Sequence, residues 1–165
     1  MQHVQTRSTT SALVLTAVLI ALATLFTMYT KIPVPGIRGY FNVGDVVIMT
    51  SALLLGRKYG AYIGAIGPAL ADLFLGYAVF VPITFVVKGI EGYLVGTVYN
   101  NKTTISALVA TIVGGIIIVA GYFIAEYFVF DPGVAIAGVL TNTIQAVMSV
   151  IISMILYAIL RKRLG

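Results

Sequence analysis

Long apolar runs, separated by short polar, glycine or proline breaks, divide the chain into six segments. Apolar runs of about 20 residues are typical of helices that cross a membrane, and proline and glycine mark where such helices end. The pattern predicts helices at approximately residues 11–30, 44–55, 59–77, 82–99, 104–128 and 133–160. We therefore expect an all-α integral membrane protein, with residues 1–165 forming one six-helix transmembrane bundle.

The second predicted helix is shorter than a membrane span. Its 12 or so residues reach about 18 Å at 1.5 Å per residue, whereas the hydrocarbon core is ~30 Å thick. The preceding residues 32–43 contain proline and glycine but few charges. Irregular backbone is tolerated at membrane depth only where it is buried in protein or lines a cavity. We expect this segment to be a lid or wall at the outer mouth of the bundle; a plain extracellular loop beside a tilted short helix is the alternative.

Composition supports the membrane assignment, because 60% of the residues are hydrophobic and only 9% are charged, against about 25% charged in soluble domains. The net charge of +5 comes from basic residues at helix ends, so topology explains it better than nucleic-acid binding does. An excess of basic residues marks the cytoplasmic side of a membrane protein. Seven basic residues lie on the side of the chain termini and two on the opposite side, so we expect both termini to be cytoplasmic. The terminal side carries Arg7, Arg57, Lys58, Lys102, Arg161, Lys162 and Arg163, and the opposite side carries Lys31 and Arg38.

Several kinds of chemistry lack the residues they need. The chain has no cysteine, and its one histidine, His3, lies near the amino terminus. This excludes disulfides, a thiolate metal site and a cysteine nucleophile, and it argues against a histidine triad or a zinc site inside the bundle. No phosphate-binding G-x-x-x-x-G-K-[ST] motif occurs. We expect no metal, no cofactor and no ATP hydrolysis by this chain alone.

Charged and amide side chains within the predicted helices gather in the outer half of the bundle. Each charge near the bilayer centre costs about 2.5 to 3.5 kcal/mol, so these groups must pair or face a wet cavity. Lys88 and Glu91 are spaced i, i+3 and can form a salt bridge along one helix face, but that pair leaves the others unexplained. We predict a binding pocket, with unrelated packing contacts as the alternative. The candidate substrate-binding residues are Tyr40, Phe41, Asn42, Asp45, Asp72, Lys88, Glu91, Asn142 and Gln145, and further rim aromatics are Tyr77, Phe80 and Phe85.

Small residues recur at helical spacing in two places. Gly60 and Gly64 lie four apart in the third helix, and Gly92 and Gly96 in the fourth; such stripes allow helices to approach closely in lipid. The first helix carries small residues in its middle, including Ala17 and Ala21, among apolar residues and threonines. That surface suits either packing or the docking of another membrane protein.

Four short motifs indicate a family. They are GYFNVGDVV at 39–47, LLGRKYGA at 54–61, ALADL at 69–73 and KGIEG at 88–92. In a chain of this size with six predicted spans, the combination resembles the substrate-binding S components of energy-coupling factor (ECF) vitamin transporters. The similarity is closest to the riboflavin-type branch, which includes hydroxymethylpyrimidine and pyridoxine members.

The resemblance implies a subunit of a prokaryotic plasma membrane that captures a vitamin from outside. A transmembrane coupling protein, the T component, and two cytoplasmic ATPases would supply the energy. In the family, the loop after the first helix and the outer ends of the later helices enclose the substrate, which corresponds here to Asn42, Asp45, Asp72 and Lys88. Two alanines four residues apart on the first helix contact the coupling protein, and Ala17 and Ala21 match that pattern. Because the chain is short with compact loops, we expect pyridoxine or hydroxymethylpyrimidine rather than riboflavin. The alternatives are a self-sufficient proton-coupled carrier or channel and, less consistent with the residue spacing, an intramembrane enzyme using Asp72 or Glu91.

Overall fold

The computed structural model describes residues 9–33, 40–99 and 103–164. In chain order the helices are α1 (Thr9–Tyr29), α2 (Asp45–Leu55), α3 (Arg57–Phe74), α4 (Phe80–Val98), α5 (Thr104–Val129) and α6 (Pro132–Leu164). Two short strands, β1 (Ile32–Pro33) and β2 (Tyr40–Phe41), lie between α1 and α2. The prediction of six helices is confirmed for these residues, and each helix begins and ends within four residues of its predicted position.

Four helices, α1, α4, α5 and α6, are long and apolar enough to cross a membrane by length and composition. Their outward surfaces carry large exposed apolar side chains, among them Val18, Phe85, Ile116 and Ile155. In water such a surface would be costly, whereas lipid tails solvate it without penalty. The protein is therefore a membrane protein.

Helix α2 lies at the centre of the bundle and packs against α1, α3, α4 and α6. It has 11 residues, and nine of them, from Asp45 to Leu53, are buried, so lipid contacts little of it. A helix that is apolar on all sides suits such a central position. Gly56, with a φ of 90°, ends α2 and begins the turn into α3; a side chain there would be strained because L residues rarely adopt this conformation.

The glycine stripes bring α3 and α4 into backbone contact. A Cβ atom added at Gly64 would overlap the carbonyl oxygen of Lys88, and one added at Gly92 would overlap the carbonyl oxygen of Gly60. Side chains at these positions would hold the two helices apart. The predicted close packing is confirmed, and one of its consequences is that the backbone at Lys88 lies directly against α3.

The chain between α1 and α2 begins and ends with an antiparallel strand pair, in which Ile32 pairs with Phe41 and Pro33 with Tyr40. The Val43 backbone N–H donates a hydrogen bond to the Thr30 hydroxyl at 3.0 Å, which ties the end of this segment back to α1. The expected lid or wall falls in part on residues 34–39, which lie outside the described residues. The second strand of the pair, β2, contacts α6.

We expect Gly64→Ala to lower the free energy of unfolding by about 1 to 3 kcal/mol, because the added methyl group forces α4 away from α3. The measurement is equilibrium unfolding in mixed micelles. Gly133→Ala, at an exposed position in the first turn of α6, is the control and should change stability by less than about 0.5 kcal/mol. Equal stability of the two variants would contradict the close α3–α4 contact.

Candidate functional site

Polar side chains from five helices and from the segment after β2 converge on one cavity in the half of the bundle where α3 and α5 end and α4 and α6 begin. The cavity has a volume of about 50 Å³, which is room for three to five waters at ~10 to 15 Å³ each. Its polar lining includes Asn42, Asp72, Thr84, Lys88, Asn142 and Gln145. Small-molecule sites combine aromatic side chains with a few converging polar groups, and this lining also contains Tyr77, Phe80 and Tyr122.

A buried ion network adjoins the cavity, and two of its members, Lys88 and Gln145, line it. The Lys88 ammonium donates a hydrogen bond to Asp45 Oδ1 at 2.5 Å, and its Nζ lies 3.4 Å from Glu91 Oε2. The Gln145 amide nitrogen donates to Asp45 Oδ2 at 2.7 Å. None of these four side chains is more than 3% exposed. The sequence paired Lys88 with Glu91, and that contact exists, but Asp45 is the closer partner and lies 43 residues away in the chain.

The same glutamine joins the network to the segment that follows β2. Gln145 Oε1 accepts a hydrogen bond from the Asn42 backbone N–H at 3.0 Å and a longer one from its side-chain amide at 3.4 Å. The Asn42 side-chain oxygen in turn accepts from the Gly44 N–H at 2.8 Å. A glutamine that donates through its nitrogen and accepts through its oxygen has both polar atoms satisfied. The segment after β2 is therefore fixed to α6 at the edge of the cavity.

Aromatic side chains form the opposite wall. The Tyr122 hydroxyl is hydrogen-bonded to the Thr84 hydroxyl at 2.9 Å, and Lys88 Nζ lies 5.4 Å from the centre of the Tyr122 ring, within the range of a cation–π contact. Tyr77 and Phe80 pack edge to face with ring centres 6.4 Å apart. These rings provide a flat apolar surface beside the charged side of the cavity.

The sequence-predicted residues fall into four groups. The cavity lining contains Asn42, Asp72, Lys88, Asn142 and Gln145, and the rim aromatics Tyr77 and Phe80. Asp45 and Glu91 do not line it but contact Lys88 from behind. The backbone of Tyr40 and Phe41 forms β2, but their side chains lie outside the described part of the structure. Phe85 does not line the cavity, because its side chain is half exposed on the outer face of α4.

Sequence reasoning missed several lining residues, namely Thr27, Pro68, Thr84, Tyr122, Glu126 and Thr141. Tyr122 and Glu126 are spaced i, i+4, which places them on one face of α5, and that spacing was the available signal. The threonines gave none, because threonine is common on every face of these helices. Among the described residues, no group of three His, Cys, Asp or Glu side chains is arranged to hold a metal ion.

The two alanines of α1 lie away from the cavity. Ala17 and Ala21 are exposed, as is Val18 between them, while Thr24 is buried and donates its hydroxyl hydrogen bond toward Gly67 O on α3 at 2.9 Å. The helix therefore packs against α3 with one face and presents the alanines on the other. Their exposed neighbours on the same helix, such as Val14, Val18 and Leu22, are apolar.

Comparisons with known proteins identify a family and agree with the fold. The sequence profile of the family described as ECF-type riboflavin transporter, S component, matches residues 7–162. The chain is 41% identical over 143 residues to an uncharacterized protein in the gap 3' region of Pyrococcus woesei, covering 86% of this chain and 96% of that protein. It is 30% identical over 149 residues to the thiamine precursor transporter HmpT of Lactococcus lactis subsp. cremoris strain MG1363, covering 89% of this chain and 83% of the relative.

Among solved structures, the fold is similar to that of the S component of a bacterial ECF transporter. The TM-score is 0.77, and the match covers 94% of this chain and 98% of the other. At 20% sequence identity, the similarity is one of fold.

We expect Lys88→Met to destabilise the protein by about 3 to 5 kcal/mol, because it leaves Asp45 and Glu91 buried without their cation. The double variant Asp45→Asn/Lys88→Met should lose less stability than Asp45→Asn and Lys88→Met lose in sum, because the asparagine needs no counter-charge. Lys58→Met, at an exposed position, is the control for loss of a lysine. The measurement is unfolding in mixed micelles, and strictly additive losses would rule out the Lys88–Asp45 coupling.

Proposed function

The chain belongs to the family of ECF-type riboflavin transporter S components, and on that premise we propose that its polar cavity binds a single-ring vitamin precursor of the hydroxymethylpyrimidine class. The observation that carries the proposal is the cavity itself, which combines a buried ion network with an aromatic wall. The relative HmpT is a thiamine precursor transporter, which supports the same substrate class.

The groups around the cavity complement a substituted heteroaromatic ring. A hydroxyl substituent donates and accepts hydrogen bonds and a ring amino group donates them, and the lining supplies a carboxyl at Asp72 and an amide at Asn142. The ring faces would lie against aromatic side chains such as Tyr122 and Phe80. Offset or edge-to-face contacts between rings are worth about 0.5 to 1.5 kcal/mol beyond the area they bury.

Size distinguishes between the vitamins of this family. A cavity of about 50 Å³ requires less adjustment to admit one substituted ring than to admit the three fused rings and sugar-alcohol chain of riboflavin. Pyridoxine also has one ring and is the second choice. The similarity to HmpT favours the pyrimidine.

We further propose that the six-helix bundle spans a prokaryotic plasma membrane, with both ends cytoplasmic and the cavity toward the outside. Exposed basic side chains support this orientation: Arg57 and Lys58 at the start of α3 and Arg161 and Lys162 near the end of α6 lie on the side of the chain termini. The positive-inside rule assigns that side to the cytoplasm. Substrate would then enter from the outer mouth, beside Asn42.

Energy for import would come from other proteins, because this chain has no phosphate-binding loop for ATP. We propose as partners an ECF T component and two cytoplasmic ATPases, with the outward face of α1 at Ala17 and Ala21 as the docking surface. Both alanines are exposed, and small residues let a partner helix approach closely.

The first test is binding by the purified protein to hydroxymethylpyrimidine, pyridoxine, thiamine and riboflavin, measured by titration calorimetry. Hydroxymethylpyrimidine should bind most tightly. Asn142→Ala should weaken the binding of hydroxymethylpyrimidine by about 3- to 12-fold, which is the range for one lost hydrogen bond. Thr143→Ala is the matched control, since the adjacent Thr143 is exposed on the outer face of α6. Absence of binding to all four compounds would contradict the proposal.

A second test separates docking from binding. Ala17→Trp should abolish vitamin uptake and assembly with the T component, because the large side chain blocks close approach, while binding by the isolated protein stays within about twofold of wild type. Ala120→Trp, on the exposed face of α5, is the control and should leave uptake intact. Normal assembly of the Ala17 variant would rule out this surface, and ion-driven uptake by liposomes holding this chain alone would favour a self-sufficient carrier.

A further inference from the structure

Glu126 is a buried carboxyl group in the cavity lining that the ion network does not include. It lies near the end of α5, one turn after Tyr122, and only 4% of its surface is exposed. Its Oε2 atom has no hydrogen-bond partner among the described residues. The cation of the network, Lys88, is bonded to Asp45 and lies close to Glu91.

The structure makes room for this carboxyl group. A Cβ atom at Gly138 of α6 would overlap Glu126 Oε2, so the glycine lets the carboxyl lie flat against α6 at the edge of the cavity, where both residues line it. Thr27 Oγ1, in the same lining, is likewise buried with no hydrogen-bond partner among the described residues. Two such oxygens facing one cavity indicate that a bound molecule supplies the missing donors, because buried polar atoms are normally hydrogen-bonded.

We propose that Glu126 is a specificity-determining residue that accepts a hydrogen bond from an amino group on the substrate ring. The inference rests on the function proposed above and narrows it to amino-substituted heteroaromatic rings. An amino group conjugated to such a ring carries two N–H donors and partial positive charge, which suits a carboxyl oxygen. A ring that bears a donor facing this carboxyl therefore binds better than one that bears a methyl group there.

The experiment measures the affinity of wild type and Glu126→Gln for two ligands. One is hydroxymethylpyrimidine, and the other is its analogue with a methyl group in place of the exocyclic amino group. Wild type should prefer the amino compound by tenfold or more, because a hydrogen bond to a charged group is lost with the analogue. Glu126→Gln should bind the amino compound about tenfold more weakly and the analogue almost as wild type does, so that the preference falls toward unity.

Two further variants make the result specific. Asp131→Asn removes one acidic charge from an exposed position beyond the end of α5 while keeping an oxygen to accept from the Val134 N–H, and it should preserve the preference. Gly138→Ala displaces the Glu126 carboxyl and should reduce the preference, which tests the inference independently if Glu126→Gln does not fold.

The outcomes separate the two proposals. If Glu126→Gln leaves the ratio of the two affinities unchanged, for instance by weakening the binding of both ligands equally, the assignment of Glu126 is overturned while hydroxymethylpyrimidine binding stays established. Failure of wild type to bind hydroxymethylpyrimidine would overturn the proposed function and this inference with it.

Discussion

The ion pair between Lys88 and Asp45 is the interaction on which the rest of the structure depends. It joins α4 to α2 where neither side chain reaches water, and in a medium of low dielectric constant an unpaired charge there would be costly. Gln145 extends the contact to α6, so three helices meet through one carboxylate. Helix α2, at 11 residues and almost wholly buried, depends on these contacts for its position.

Helix packing and the polar network both fix how α4 is positioned in the bundle. Lys88 reaches Asp45 because α4 lies against α3, with Gly64 facing the Lys88 carbonyl group. A bulkier residue at Gly64 would move the ammonium as well as the helix. The apolar contacts thus set the position of the charges, and the charges in turn fix the rotation of the helices that carry them. Such mutual dependence explains how a chain with only 9% charged residues places several of them at one site.

The fold presents two chemically different surfaces. Side chains from α1, α3, α4, α5 and α6 line a polar cavity, whereas the outward face of α1 is apolar around two exposed alanines. A chain that belongs to the S-component family needs a site for its vitamin, and the cavity supplies polar and aromatic groups for one.

Much of the fold was predictable from the sequence because hydropathy, helix breaks and glycine spacing are local properties. They predicted the six helices, the membrane class, the close contact of α3 with α4, and a group of polar residues at similar depth. The i, i+3 contact of Lys88 with Glu91 was also predictable, since it depends on one helix alone.

Only the tertiary structure decided which polar residues meet. Asp45 lies closer to Lys88 than Glu91 does, although 43 residues separate the pair in sequence. Glu126 and Tyr122 join the cavity, whereas Phe85 faces outward. These outcomes depend on the rotation of each helix about its own axis. That rotation is set by contacts with the other helices, and in a chain whose helices are apolar on nearly every side, local sequence does not specify it.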